Sequence, residues 1–376
     1  MKTILIIMGR YLPGYKDGGP VRSIKNLTDR LGNEYNFKIL TTDRDHGDVS
    51  AYPGVKVNEW NKTGNAYVYY VNPNGFTKEI IIKLASEADM VYLCGCFNDY
   101  ARTTLALKRR NQITGKVVIA SMGLFSPGAF QIKKWKKSIY MLILKAAGYF
   151  KNVEWSATSQ EEVKQIKNIV GNGAVCHIAQ DLPRQVESKL NLTEKKQGEL
   201  KVIFLSRISR KKNLSFAIDR LQNVKGKITF DIYGTMEDDE YWKECETKLK
   251  KLPDNISWNY KGEADSDNVI DIFSNYHVFL FPTLGENYGH VIFEALAGGC
   301  IPVISDQTPW DFQKTPVAGK SLPLKQTEKW TKELQQFANM SQEELCDQSK
   351  QAIQYAINES ERDNAGDYRK IFNSSN

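Results

Sequence analysis

Along almost the whole chain, short apolar runs alternate with segments whose apolar residues recur every three or four positions. TILIIM (3–8) predicts a buried strand, and after a Gly- and Pro-containing loop Val21, Ile24, Leu27 and Leu31 fall on one face of a helix over 20–33. FKILTT (37–42), VYLCG (91–95) and KVVIAS (116–121) read as further strands, with a helix over 100–110 between the last two. Ser159 followed by Glu162 has capping-box spacing and opens a helix over 159–169. The second half repeats the plan. LKVIFLSR (200–207), KITFDIYG (227–234), ISWNYKG (256–262), VFLFPT (278–283) and IPVIS (301–305) read as strands. Helices are expected near 213–222, 239–251 and 266–275, and another starts near His290. Strands alternating with helices imply parallel sheets with right-handed crossovers. The expected fold class is α/β, in two Rossmann-like halves joined by the polar stretch 177–199.

Length agrees with that division, because 376 residues exceed one comfortable core. The first apolar run stops at Gly9 with no small-residue cleavage site behind it, so it reads as a strand and not as a signal peptide. No apolar run approaches the roughly 18 residues of a spanning helix. The longest candidate, 139–150, is interrupted by Lys145 and Gly148. The six cysteines are scattered, and the spacing of Cys94 and Cys96 suits neither a zinc knuckle nor a redox pair. A cytoplasmic protein is expected.

Charge is uneven. Residues 1–183 carry 25 Lys and Arg against 15 Asp and Glu, whereas the remainder carries 26 against 29. Between Asp99 and Glu154 stand eleven cations and no acid. Lys133, Lys134, Lys136 and Lys137 flank Trp135 and run into Ile139, Tyr140, Leu142 and Ile143. A basic helix with aromatic and aliphatic residues suits an anionic acceptor or the inner face of an anionic membrane, to which the chain would be peripheral. The plainer alternative is a solvated basic face on a helix docked to its own core. No nucleic-acid reading motif accompanies the cations.

Three loops carry candidate chemistry. Gly18 and Gly19 precede a helix whose first position suits Pro20, which makes either an anion-binding turn or simply a tight one. LSRISRKKN (205–213) crowds Arg207, Arg210, Lys211 and Lys212 at a strand's carboxyl end, where open parallel sheets bind ligands. Cations there suit a diphosphate, and an ordinary basic loop is the alternative. In GENYGHVIFEALAGGC (285–300), Glu286 precedes a helix start and Glu294 lies about one turn inside it. A helix N-terminus holding an anion, with a hydroxyl acceptor on each side, matches sugar, diphosphate and ribose in a row. A purely structural role for both carboxylates is the rival reading.

GENYGHVIFEALAGGCIPVIS resembles the Glu-x7-Glu signature of GT-B fold retaining glycosyltransferases, in particular the glycosyltransferase 4 group. SDQTPW (305–310) and GLFSPGAFQIKKWKK (123–137) are similar to segments of members that build bacterial surface polysaccharides. The resemblance implies two facing Rossmann-like domains with an interdomain cleft. The acceptor-binding domain would be 1–183 plus a returning helix over 360–376, and the nucleotide-sugar domain 184–359. It implies that Glu286 contacts the donor sugar, that backbone from Asn287 through Tyr288, Gly289 and His290 to Val291 holds sugar and phosphate, and that Glu294 contacts ribose. Arg207 and Lys212 would grip the diphosphate, the Gly18–Gly19 loop would lie near the donor, and Lys261–Gly262 would lie near the base. The donor would be a UDP-sugar, used as a substrate, and the acceptor a saccharide or lipid-linked saccharide. No metal or other cofactor is called for. Where many members carry His or Arg, this chain has Met122 (SMGLFS), which cannot polarise a sugar hydroxyl.

Asp265-Ser-Asp267 has metal-binding spacing but precedes a helix and reads as an N-cap. His46, His177 and His277 read as structural. Two alternatives stay open: another GT-B enzyme, such as a nucleotide-sugar epimerase or a phosphorylase, or a non-catalytic saccharide-binding partner.

Overall fold

A computed structural model of the chain describes residues 1–126, 130, 134–186, 193–265, 267–315 and 318–374. They form two units, one of Met1–Leu182 with Asp363–Asn376 and the other of Pro183–Arg362.

The first unit is built on β1 (Lys2–Ile7), β2 (Tyr35–Thr42), β3 (Trp60–Thr63), β4 (Ala66–Val71), β5 (Met90–Cys94), β6 (Lys116–Ala120), β7 (Glu154–Ala157) and β8 (Cys176–Ile178). The sheet order is β3-β4-β2-β1-β5-β6-β7-β8. Neighbours run parallel except β3 and β4, which form an antiparallel hairpin. β1 lies between β2 and β5, so Ile4 stands beside both Phe37 and Met90. Its side chains feed two cores, Ile4 and Ile6 one and Leu5 and Ile7 the other. A strand covered on both faces has no polar side to show, which is why TILIIM reads as a continuous apolar run.

On one face, α1 (Gly19–Leu31) buries Val21, Ile24, Leu27 and Leu31. On the other lie α2 (Lys78–Ser86), α3 (Asp99–Arg109), α4 (Lys134–Ala146) and α5 (Gln160–Val170). Thr77 and Ser159 cap α2 and α5 through their hydroxyls.

The second unit is built on β9 (Glu199–Leu205), β10 (Lys227–Tyr233), β11 (Ile256–Gly262), β12 (Val278–Phe281), β13 (Ile301–Ser305) and β14 (Lys320–Leu322). Their order is β11-β10-β9-β12-β13-β14, all parallel. Around this sheet run α6 (Leu214–Leu221), α7 (Asp239–Leu249), α8 (Val269–Phe273), α9 (His290–Ala297), α10 (Thr327–Asn339) and α11 (Gln342–Glu361). One continuous apolar core joins them. α8 is shorter than the expected 266–275, and Asn268 takes its N-cap position. Asp265 does not cap the helix: its carboxylate accepts from Asp267 N–H at 3.1 Å and from the Asn268 amide at 2.9 Å, closing the turn before it.

The chain then returns. α12 (Ala365–Asn373) packs Tyr368, Ile371 and Phe372 into the α1 side of the first unit's core. Phe372 meets Tyr35 edge-on at 5.2 Å and Tyr92 at 5.9 Å.

Asp181 is buried in the first unit and is only 9% exposed. Burial raises its carboxyl to about 7, the charge of Glu162 adds to that, and a Ser23 hydrogen bond opposes it. In the unfolded chain an Asp ionises near ~3.9. Between those values the folded state holds the extra proton, so this group's contribution falls as pH rises from about 4 to about 7 and stays low above that. Asp181→Asn should therefore gain on the wild type in thermal stability between about pH 5 and about pH 8, by on the order of a few kcal/mol. Equal offsets at both pH values in paired melting curves would refute the assignment.

Candidate active site

In each sheet the strand order reverses once. β9, β10 and β11 progress to one side and β12, β13 and β14 to the other, so the loops after β9 and β12 diverge. Such a divergence opens a crevice at the carboxyl ends of the strands.

After β9 the chain passes through Arg210–Lys212 as one short helical turn, then through left-handed Asn213 (φ 62°) into α6. After β12 it runs Pro282–Gly289 into α9. The two loops are stitched together. Asn213 Nδ2 donates to the Pro282 carbonyl at 2.9 Å, and Leu284 N–H donates to the Lys211 carbonyl at 2.8 Å. Across the same seam Lys212 Nζ meets Glu286 Oε1 at 2.6 Å, with only 10% and 12% of the two side chains exposed. Lys212 also stands 5.4 Å from the Phe281 ring centroid.

Thr283 Oγ1 donates to the same Glu286 oxygen at 2.9 Å, and Glu286 N–H donates to the Gln307 carbonyl at 3.1 Å. Burial on its own pushes the Glu286 carboxyl up. The charges of Lys212 and Lys211 and the hydrogen bonds from Lys212 and Thr283 outweigh it, so Glu286 stays below the ordinary carboxyl range. Burial lowers the neighbouring Lys211, and the Glu286 charge opposes that.

Gly289 holds the N-cap position of α9, is left-handed at φ 84° and supplies no capping side chain. A Cβ there would stand 2.9 Å from Ile292 Cδ1. Glycine thus sets the helix start against the Glu286 loop. Tyr288 anchors this loop: its carbonyl accepts from Trp310 Nε1 at 2.6 Å, and its ring meets Trp310 at 5.4 Å and His290 at 4.8 Å. His290 and Glu294 are buried, while Asn287 and Val291 are half-buried.

Other candidate residues stand apart from the Lys212–Glu286 pair. Arg207, at the same strand end, pairs with Glu237. Lys261 lies 3.7 Å from Asp231 at the end of β11, and the Gly262 carbonyl accepts from Gly234 N–H at 2.8 Å. Gly234 (φ 143°) is pressed so closely onto the end of β9 that a Cβ would fall 1.8 Å from the Ser206 carbonyl oxygen. Gly18 (φ 66°) and Gly19 open α1 in the first unit. Lys133 lies outside the described residues, Lys134 opens α4, Trp135 and Lys136 are exposed, and Lys137 Nζ lies 5.5 Å over the Phe97 ring. Among the described residues no group of three His, Cys, Asp or Glu is placed to hold a metal ion. His277 is engaged at both ring nitrogens, by Lys201 N–H at 3.0 Å and the Glu194 carbonyl at 3.1 Å, and burial lowers it to about 4.

The first unit's own reversal, between β1 and β5, holds a cavity of about 620 Å³. Its polar wall includes Arg10 and Asp17, paired at 3.1 Å, and its apolar wall Phe76 and Tyr100, with ring centroids 5.0 Å apart. Met122 lines it too, from a left-handed backbone (φ 48°). The following Gly123 N–H is held at 2.6 Å by the buried Glu162. Sequence reasoning missed Arg10, Asp17, Tyr100, Thr283 and Gln307. Arg10 and Gln307 lie just past predicted strands, Thr283 ends one and Tyr100 opens a predicted helix, whereas Asp17 stands in mid-loop with no such signal.

Lys212→Met should strand the Glu286 charge in a buried seam and cost about 3 kcal/mol in urea unfolding. Adding Glu286→Gln should recover much of that loss. Strict additivity of the two changes would show that the pair does not couple the loops.

Residues 186–355 match the family model described as glycosyl transferases group 1. No curated protein sequence matches the chain. Among solved structures, Anabaena HepE in complex with UDP and glucose is similar at 12% identity and TM-score 0.70, over 99% of this chain and 98% of that one. A sucrose-phosphate synthase from Thermosynechococcus elongatus is similar at 15% identity and TM-score 0.67, over the full length of both chains. An α,α-trehalose-phosphate synthase (UDP-forming) from Burkholderia xenovorans, in complex with glucose-6-phosphate, gives 8% and 0.69, again over both full lengths. The fold is therefore that of the GT-B glycosyltransferases, and Lys212, Glu286 and Glu294 all lie in the part that matches glycosyl transferases group 1.

Proposed function

We propose that the chain is a retaining glycosyltransferase of the glycosyltransferase 4 type. It takes a sugar from a UDP-sugar and passes it to a saccharide or lipid-linked saccharide acceptor in bacterial surface-polysaccharide synthesis. The observation that carries the reading is the buried Lys212–Glu286 pair at the β9/β12 reversal, beside the uncapped start of α9. A nucleotide-sugar offers what each member of that pair needs. Its diphosphate replaces Glu286 as the partner of Lys212, and its sugar hydroxyls replace Lys212 as donors to Glu286. The first N–H groups of α9 face the same anion. Arg207, exchanging Glu237 for phosphate, adds charge, and Glu294 takes the ribose. The UDP in the HepE structure supports the choice of donor.

In the reaction the bond from the anomeric carbon to the diphosphate oxygen breaks. The acceptor oxygen bonds that carbon on the same face and gives its proton to the departing phosphate. Lys212, Arg207 and the helix N–H groups stabilise the negative charge that builds on the diphosphate. The cavity beside β1 and β5 holds the acceptor, with Met122 as an apolar wall and not a proton donor.

A thermal-shift panel of nucleoside diphosphates and nucleotide-sugars should show stabilisation by UDP and one UDP-sugar, near 2.7 kcal/mol at a hundredfold excess over Kd. Glu286→Gln should keep the far-UV circular dichroism and lose transfer by about a hundredfold or more. Full transfer by that variant would remove Glu286 from the site. A product of inverted anomeric configuration, read by NMR, would overturn retention.

A further inference from the structure

Charge is scarce in the cavity beside β1 and β5. Among the described residues that line it, Arg10, Asp17 and Asp99 carry charge and there is no lysine. Arg10 is already engaged, because its Nη1 donates to both oxygens of Asp17, at 3.3 and 3.1 Å. Asp17 also faces His46 Nδ1 at 3.5 Å, and Asp99 faces Arg102 Nη2 at 2.9 Å. Two helices reach this cavity with their first turns, α1 through Pro20 and α3 through Asp99 and Tyr100. A helix start is where a phosphate is ordinarily held. Here each start is met by an acid of the chain itself, Asp17 just ahead of α1 and Asp99 at the first position of α3.

The rest of the lining is neutral. Phe76 and Tyr100 stand with ring centroids 5.0 Å apart and 30° between their planes. The Tyr100 hydroxyl is engaged within the protein: it donates to the Cys94 carbonyl at 2.8 Å and accepts from the Asn98 amide at 2.9 Å. Its ring is therefore the part it offers to a ligand. Asn74 and Thr103 add an amide and a hydroxyl to the wall. Aromatic surface beside neutral hydrogen-bonding groups suits a sugar ring, whose C–H face packs on apolar surface and whose hydroxyls find acceptors around it.

We propose that the acceptor residue taken by this cavity is an uncharged sugar, bearing neither phosphate nor carboxylate, and that Asp17 sets this preference. The proposal rests on the reading that the cavity holds the acceptor. A neutral sugar leaves the Arg10–Asp17 pair intact and donates a hydroxyl to the acceptor positions of Asp17 that Arg10 leaves open. A sugar phosphate would have to draw Arg10 away. Asp17 would then keep its charge in a half-buried position beside a second anion, and Asp99 would add to the repulsion. Asp17 in this role sorts acceptors, and it makes or breaks no bond in the transfer.

The test is a saturation-transfer NMR titration of the full chain with UDP in excess, which keeps phosphates off Lys212. Methyl glycosides of glucose, galactose and N-acetylglucosamine are compared with the 6-phosphates of the same sugars. At least one neutral glycoside should bind, and its 6-phosphate should bind about tenfold more weakly or worse. Asp17→Asn releases Arg10 and should shift that ratio towards the 6-phosphate by about tenfold, with circular dichroism unchanged. Adding Arg10→Ala should abolish the gain. Phe76→Ala should weaken the neutral glycoside by about fivefold, which locates its binding in this cavity. A 6-phosphate bound by the wild type as tightly as its parent glycoside would overturn the proposal. So would an unchanged ratio in Asp17→Asn, or binding by none of the neutral glycosides. Failure of UDP to stabilise the chain would strike at the donor reading alone, because Phe76→Ala marks the glycoside site independently.

Discussion

A parallel sheet buried on both faces can bind a polar ligand only where its connections part, and that constraint organises both units of this protein. In the second unit the parting falls between β9 and β12, and in the first between β1 and β5. Everything else at the candidate site follows from holding the first of these gaps open and dry. Lys212 and Glu286 are withdrawn from water there, and each is tolerable only because the other is present. Their attraction adds to a backbone seam from Asn213 to Pro282 and from Leu284 to Lys211, and the Gln307 and Trp310 contacts brace the loop from the far side.

A pair of this kind does more than rigidify. A ligand that brought only an anion would satisfy Lys212 and leave Glu286 buried and unmatched, and one that brought only hydroxyls would do the reverse. A molecule that carries both in the right order avoids each penalty. On the function proposed above, selectivity for a compound of anion and polyol would follow from the Lys212–Glu286 bond itself.

How much of this the sequence disclosed depended on range. Strands buried on both faces, such as Ile4–Ile7 and Val202–Phe204, showed as uninterrupted aliphatic runs, and α1 showed as a clear helical period, because their burial is written in adjacent residues. The β3–β4 hairpin, α2 and the short β7 and β8 did not show. AYVYYV mixes tyrosines into its run, and EWSA and CHI are too short and too polar to carry a period. At the site, the spacing of Glu286, Gly289 and Glu294 was legible because it is local. The meeting of Lys212 with Glu286 spans 74 positions and exists only through the sheet order. The capture of Arg207 by Glu237, and the exposed side of α4, were invisible for the same reason: sequence gives the faces of a helix, but the fold decides which one is covered.

The path of the chain through the first unit has a further consequence, in the order of its making. The α1 side of that unit's core counts Ala365, Tyr368, Ile371 and Phe372 among its members, although the rest of the core comes from residues before 183. On a ribosome, the earlier part of the unit therefore waits, with Tyr35, Phe37 and Tyr92 lacking their Phe372 neighbour, while the whole second unit is synthesised and can fold. The unit that is translated first is completed last, and damage near residue 370 is felt most by a sheet whose first strand begins at Lys2.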